Sequence, residues 1–275
     1  MEYQRISTNL IQMHVVQDGS PNGPLVILLH GFPEFWYGWR KQIPALATAG
    51  YRVWAPDQRG YNLSDKPEGI ASYKIDELAK DIAGLIDAYG RKKIFLVGHD
   101  WGASVSWWVA LKYPQLLQKL VILNVPHPKV MAKTVFTNVE QMKKSWYIFY
   151  FQLPGAVDKL AAATNYQWVL DMIISSANTG AFSASELEEY RKAFSQPGAF
   201  TAMVNWYRAM IQTKQEPPQS FDVTVPMILM WGEEDVAMLT EMADKSMAYC
   251  KQGKLIKFPN VSHWIQHEAA DRINP

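Results

Sequence analysis

The residues best suited to chemistry sit in IFLVGHDWGASVSWW, positions 94–108. An apolar run ends in Gly98-His99-Asp100-Trp101-Gly102, and small residues follow. A sharp bend from strand to helix would lift the central side chain clear of the backbone, and flanking glycines leave it room. Free N–H groups at the start of the helix favour an ionised carboxylate there. The same residues also fit a plain helix cap, where aspartate is common. The rest of the chain separates the two readings, because a nucleophile needs oxyanion donors, a base and an acid that orients the base. LLHGFPEFW (28–36) follows a second apolar run and offers backbone N–H donors. Asp235 lies just past MILMW, and His263, in FPNVSHWIQHE, follows the last apolar run. Nucleophile, acid and base thus occur in that chain order.

An aspartate at the bend changes the chemistry that a serine would perform there. Attack on a carbonyl by a carboxylate gives an anhydride, a poor intermediate. Displacement at a saturated carbon gives an alkyl ester of the side chain. Water activated by His263 then attacks the Asp100 carbonyl, with the oxyanion donors holding the developing charge. The pattern points to a strained carbon–oxygen ring or a carbon–halogen bond. An opening epoxide leaves as an alkoxide and needs a proton donor, which a neutral tyrosine supplies; a halide needs only N–H groups.

Strands must carry these residues. Apolar, β-rich runs occur at 10–17, 25–29, 51–55, 94–97, 120–124, 227–231 and 255–258. The first alternates only in part and fits a sheet edge. The next four are nearly continuously apolar, as strands buried on both faces are. In DELAKDIAGLIDAYG, Leu78, Ile82, Leu85, Ile86 and Tyr89 share a helical face, with Asp76 as start signal and Gly90 as stop. Strand–helix alternation predicts a mostly parallel sheet with helices on both sides. Between 126 and 215 the spacing is helical throughout. Residues 1–125 and 216–275 are therefore expected to form an α/β core, with 126–215 as a helical cap over the carboxyl ends of the strands.

The motifs HGFPEFWYGWR, DQRGYNLSDKP, VGHDWGA, WGEEDVA and SHWIQHE together closely resemble epoxide hydrolases of the α/β-hydrolase fold, over nearly the whole chain. That resemblance implies Asp100 as nucleophile, His263 as base and Asp235 as its partner. It implies an oxyanion hole from the Phe32 and Trp101 amides and a cis bond between Phe32 and Pro33. YIFYFQLPG (147–155) and NWYRAM (205–210) resemble the cap segments carrying paired ring-opening tyrosines, matched by Tyr147 and Tyr207. Tyr150, one helical turn on, competes for the first place. Trp36, Phe151, Trp107 and Trp108 are candidate substrate walls. The 12 residues after His263 are fewer than such enzymes usually have.

Epoxide hydrolysis leads, and haloalkane dehalogenation is the alternative. Trp101 suits either, but haloalkane dehalogenases typically have asparagine at the position of Phe32, and fluoroacetate dehalogenases favour arginine at that of Trp101. A catalytically silent binder of an apolar ligand is the third reading. No cofactor is implied. His263 and His267 are spaced i, i+4 without an HExxH motif, so no metal is expected. Glu34 is a candidate either to orient water or His263 or to stabilise its loop, Asp57 to brace its loop, and His30 and His99 to shape loops. His14 and His127 receive no role, and Glu241 and Asp244 read as a solvated helix face. A net charge of +1 without a basic block excludes nucleic acid as a natural partner. A single cysteine, a polar N-terminus and no long apolar stretch predict a cytoplasmic protein that meets no membrane. The expected partners are a small apolar epoxide and water, with the chain a monomer or homodimer.

Overall fold

The computed structural model describes residues 1–90 and 93–274. Eight strands form one sheet: β1 (Glu2–Thr8), β2 (Ile11–Gly19), β3 (Leu25–Leu29), β4 (Arg52–Pro56), β5 (Ile94–His99), β6 (Leu117–Leu123), β7 (Met227–Gly232) and β8 (Gly253–Phe258). Their order is β1-β2-β4-β3-β5-β6-β7-β8, antiparallel through β1, β2 and β4 and parallel from there on. The run LVILL shows why the middle strands are apolar throughout. Leu25, Ile27 and Leu29 pack into one core, while Val26 and Leu28 pack into a second core on the opposite face.

One expectation fails at the N-terminus. The segment 10–17 is not an edge; β2 lies inside, paired with β1 and β4. The edge strand is β1, whose EYQRIST sequence is exposed over its first four residues and carries no apolar pattern to betray it.

Helices cover both faces. On one side lie α1 (Gln42–Thr48) and the short α12 (Ile265–Glu268) and α13 (Ala270–Ile273); on the other lie α2 (Ile75–Tyr89) and α3 (Trp101–Lys112). The α2 stripe of Leu78, Ile82, Leu85 and Ile86 is buried, and Gly90 ends the helix with φ 77°. Asp76 is not the cap. It sits inside the first turn, where its carboxylate accepts from Trp108 Nε1 (2.9 Å) and the Glu216 amide (3.0 Å).

Between β6 and β7 every element is helical: α4 (Pro128–Thr137), α5 (Val139–Lys144), α6 (Trp146–Tyr150), α7 (Ala156–Ala163), α8 (Gln167–Ser176), α9 (Ala184–Phe194) and α10 (Ala199–Gln212). The remaining helix, α11 (Glu241–Ser246), follows β7 and exposes Glu241 and Asp244. The inserted helices are tied to the sheet layer through polar contacts, among them Trp206 Nε1 to the Arg59 carbonyl at 3.0 Å. No helix among the described residues is long and apolar enough to cross a membrane.

Candidate active site

Asp100 occupies the bend between β5 and α3 with φ 49° and ψ −122°, a conformation that costs a non-glycine residue about 1–3 kcal/mol. The bend is tight because β5 and α3 meet almost at contact. A methyl on Gly98 would strike the Gly102 carbonyl, and one on Gly102 would strike the Leu29 carbonyl. The side chain that emerges is held at one oxygen: the Phe32 N–H donates to Asp100 Oδ1 at 2.7 Å. Trp101 opens α3, so its N–H has no carbonyl within the helix to bond. The Phe32–Pro33 bond is cis.

The strand ends bring two more groups to this point. His263 presents Nε2 to Asp100 Oδ2 at 3.6 Å, an ion-pair distance longer than a direct hydrogen bond. Its Nδ1 lies 2.8 Å from Asp235 Oδ2. Asp235 is fixed in turn by the Ala237 and Met238 amides on Oδ1 (2.7 and 2.9 Å) and by Asn124 Nδ2 on Oδ2 (2.7 Å). Asn124 ends the run LVILN with φ 56°, and its Oδ1 accepts from the Gly232 amide at 3.0 Å. The sequence offers one cue to Asn124, a polar residue closing a buried strand.

Charge follows this geometry. Burial raises both carboxylates, but His263 and the hydrogen bonds outweigh it and hold Asp100 and Asp235 below the ordinary carboxylate range. Burial pulls the His263 imidazole down, while Asp235 and then Asp100 prevail and push it up to about 10. The resting site is a carboxylate–imidazolium–carboxylate chain.

Across from Asp100 the helical insertion contributes Tyr147 from α6 and Tyr207 from α10, with ring centroids 5.9 Å apart. Burial first, then the Asp100 charge, raises both phenols far above their usual range, so both hold their protons. A side-chain hydrogen bond with Trp101 draws Tyr207 part of the way back. Tyr150 instead faces Trp146, at 5.9 Å. Beside the pair lies a cavity of about 600 Å³, bordered by Asp100, Trp101, Trp107, Trp108 and Tyr207 and almost wholly apolar.

A family model described as the alpha/beta hydrolase fold matches residues 24–270. "AB hydrolase superfamily protein YfhM" of Bacillus subtilis is 45% identical over 98% of this chain and 94% of its own. "Epoxide hydrolase 4" of Homo sapiens is 37% identical over 99% and 76%. The crystal structure of Bacillus megaterium epoxide hydrolase in complex with an inhibitor matches with TM-score 0.91 at 31% identity, over 98% and 97%. The chain belongs to the epoxide hydrolases of the α/β-hydrolase fold. In this family member the residues anticipated around the site divide into those that converge and those that do not. Asp100, His263, Asp235, Phe32, Trp101, Tyr147 and Tyr207 converge, and Trp107 borders the cavity.

Trp36 does not form a wall. It lies in a tight helical turn, Trp36–Trp39, with its ring against Tyr3 (6.0 Å) and Tyr37 (5.5 Å). Phe151 is fully buried behind the tyrosines, 5.3 Å from the Phe32 ring and 4.9 Å from that of Tyr207, so it supports the site without facing the cavity. Glu34 does not touch His263. Its carboxylate accepts from Tyr190 (2.7 Å) and Gln266 (2.7 Å) and lies 2.7 Å from His267 Nε2 and 3.4 Å from His99 Nδ1. Burial raises Glu34, but His267 and His99 bring it well below the normal range. His267 is thereby committed to Glu34 and not to a centre shared with His263. His99 Nε2 reaches the His263 carbonyl at 2.8 Å, and His30 Nε2 accepts from the Gln58 amide at 3.0 Å. Asp57 accepts from the Trp36 amide and from Asn62 and pairs with His14 at 2.7 Å, bracing its loop.

Proposed function

We propose that this chain hydrolyses a small, apolar epoxide to a vicinal diol through an ester on Asp100. The carrying observation is the position of one carboxylate between a donor and a base: Oδ1 on the Phe32 amide at 2.7 Å, Oδ2 facing His263 at 3.6 Å. The oxygen held by Phe32 becomes the carbonyl of the ester, and the other attacks an oxirane carbon. That ring C–O bond breaks, and the oxirane oxygen takes a proton from Tyr207 or Tyr147, leaving a hydroxyalkyl ester and a tyrosinate. The imidazolium, its pairing with Asp100 now lost, gives its proton to the tyrosinate. Water then gives a proton to the neutral His263 Nε2 and adds to the Asp100 carbonyl carbon, with the Phe32 and Trp101 amides holding the oxyanion. Collapse expels the diol oxygen, which takes the carboxyl proton, and the carboxylate and imidazolium of the resting site are restored. The scheme needs no cofactor.

A haloalkane would use the same Asp100, His263 and Asp235. Two buried phenols held protonated opposite the nucleophile favour an oxygen leaving group, because halide leaves without a proton. A single cysteine suits a reducing compartment, and we place the enzyme in the cytoplasm as a monomer or homodimer without nucleic-acid or membrane partners.

The test is trapping. A His263→Gln variant incubated with styrene oxide should gain the full mass of the epoxide on the peptide bearing Asp100, without steady diol formation. In heavy-oxygen water, a single wild-type turnover should leave the label in Asp100 and not in the diol. An unmodified variant that still makes diol, or label entering the diol directly, overturns the ester route.

A further inference from the structure

One hydroxyl in the cavity wall has no part in the ester chemistry. Asp100, Trp101, Ser104, Trp107 and Trp108 all border the cavity, and their spacing makes them one face of α3 and the bend before it. Ser104 stands in the middle of that face. Every other residue from Trp101 to Leu111 is buried, whereas Ser104 is partly exposed. With the rest of the helix enclosed, the open surface of Ser104 is the surface it turns to the cavity.

The hydroxyl is also uncommitted. A serine inside a helix can bond back to the carbonyl four residues earlier, as Ser106 does to Gly102 at 2.7 Å. Ser104 gives only its backbone N–H to the Asp100 carbonyl, at 3.0 Å, and its Oγ has no hydrogen-bond partner among the described residues. The polar groups of the neighbouring wall are already bonded elsewhere. Trp107 Nε1 donates to the Val125 carbonyl (3.1 Å), Trp108 Nε1 to Asp76 (2.9 Å) and the Tyr73 hydroxyl to the Pro67 carbonyl (2.7 Å). A free hydroxyl thus stands in an apolar wall, one helical turn and about 6 Å along α3 from Asp100.

Building on the epoxide reading above, we propose that Ser104 determines specificity, and that the preferred substrates are terminal epoxides whose apolar arm carries an ether or carbonyl oxygen about three or four bonds from the attacked carbon. With that carbon over Asp100, such an oxygen comes level with Ser104 and accepts a hydrogen bond from its Oγ. A hydrocarbon arm covers the hydroxyl and strips its water without replacing it, which weakens binding. An oxygen farther along the arm passes Ser104 and gains no such bond.

The test compares two straight-chain isomers, butyl glycidyl ether and 6-methoxy-1,2-epoxyhexane, whose ether oxygens stand three and six bonds from the terminal oxirane carbon. Their ratio of kcat/KM, first isomer over second, is taken within each enzyme, so intrinsic reactivity and any general loss of activity cancel between enzymes. That ratio should fall about three- to tenfold from wild type to Ser104→Ala. Ser104→Cys, close in shape with a much weaker donor, should lower it as well. The dissociation constants of the two product diols, read by tryptophan quenching, should show the same dependence on Ser104. A turnover ratio within about twofold of wild type in both variants overturns the subsite. If neither isomer is turned over but the diol ratio moves in Ser104→Ala, the subsite stands and the epoxide reaction falls. If there is no turnover and the diol ratio does not move, both fall.

Discussion

Esterifying Asp100 removes one of the two negative charges that hold the His263 imidazolium, and the structure sets the size of that change. Burial opposes the cation, yet Asp235 at 2.8 Å and Asp100 at 3.6 Å push the imidazole up to about 10. At an effective dielectric near 20, the 3.6 Å pair is worth about 4–5 kcal/mol. That corresponds to about 3 pH units of basicity. In the ester the imidazole therefore falls from about 10 to about 7, so near neutral pH a large fraction is free to accept a proton from water. Stopped-flow tryptophan fluorescence in single turnovers separates ester formation from its decay, with Trp101 adjacent to the reacting carboxylate. The decay rate should rise with pH through one ionisation at about 7 and level off above it. Asp235→Asn, which removes the second charge, should shift that ionisation lower and slow the plateau by about a hundredfold or more. A decay limb centred near 10 would show that the imidazolium outlives the Asp100 charge, and the electrostatic reasoning would be wrong.

Three further outcomes follow from the same geometry. Tyr147→Phe and Tyr207→Phe should each slow ester formation about ten- to a hundredfold and the double variant about 10⁴-fold, whereas Tyr150→Phe should stay near wild type in the same burst assay. Gly31→Ala would drive a methyl into the Asp100 side chain, so kcat should fall about a hundredfold with a lower Tm; full activity would mean that the carboxylate is not pinned there. His127 is fully buried with its ring stacked 4.3 Å from Tyr249, and burial lowers its imidazole from 6.5 to about 4. Its neutral form then contributes stability that is complete above pH 6.5 and lost as pH falls toward 4, about 3 kcal/mol across that window. Urea midpoints measured against pH should flatten over that range in His127→Phe, and an unchanged slope would refute the assignment.

How much of this was legible in the sequence depended on how local the cause was. The bend at Asp100 could be read because its requirement is local: a buried strand, two glycines and the start of a helix lie within residues 94–108. The order Asp100, Asp235, His263 could be read because each follows its own apolar run. Strand β1 could not, since an edge strand exposed on most of its length needs no apolar alternation. The sequence misplaces Trp36 because the nearby Phe32 amide reaches Asp100, while the tight turn after Phe35 swings Trp36 back toward Tyr3. Tyr147 and Tyr150 lie three residues apart on one short helix, and the rotation of α6 against α10 decides between them. Asn124 and Glu34 act through partners far along the chain, 111 residues for Asn124 to Asp235 and 233 for Glu34 to His267.

Glu34 bears on why the helical insertion and Asp100 must be considered together. An ionised carboxylate with 1% exposure is costly unless fully paired, and this one faces Tyr190, Gln266, His267 and His99. Tyr190 comes from α9 of the helical insertion, and the same helix sends Glu186 to Arg40 at 2.6 Å. His99 precedes Asp100, and its Nε2 meets the carbonyl of His263. Two residues before Glu34, the Phe32 amide holds the Asp100 carboxylate. One buried carboxylate therefore links the insertion, His99 beside Asp100 and the segment carrying the Phe32 amide. The alignment at Asp100 needs such support, since its backbone conformation is unfavourable by itself and is kept only where the surroundings over-determine it.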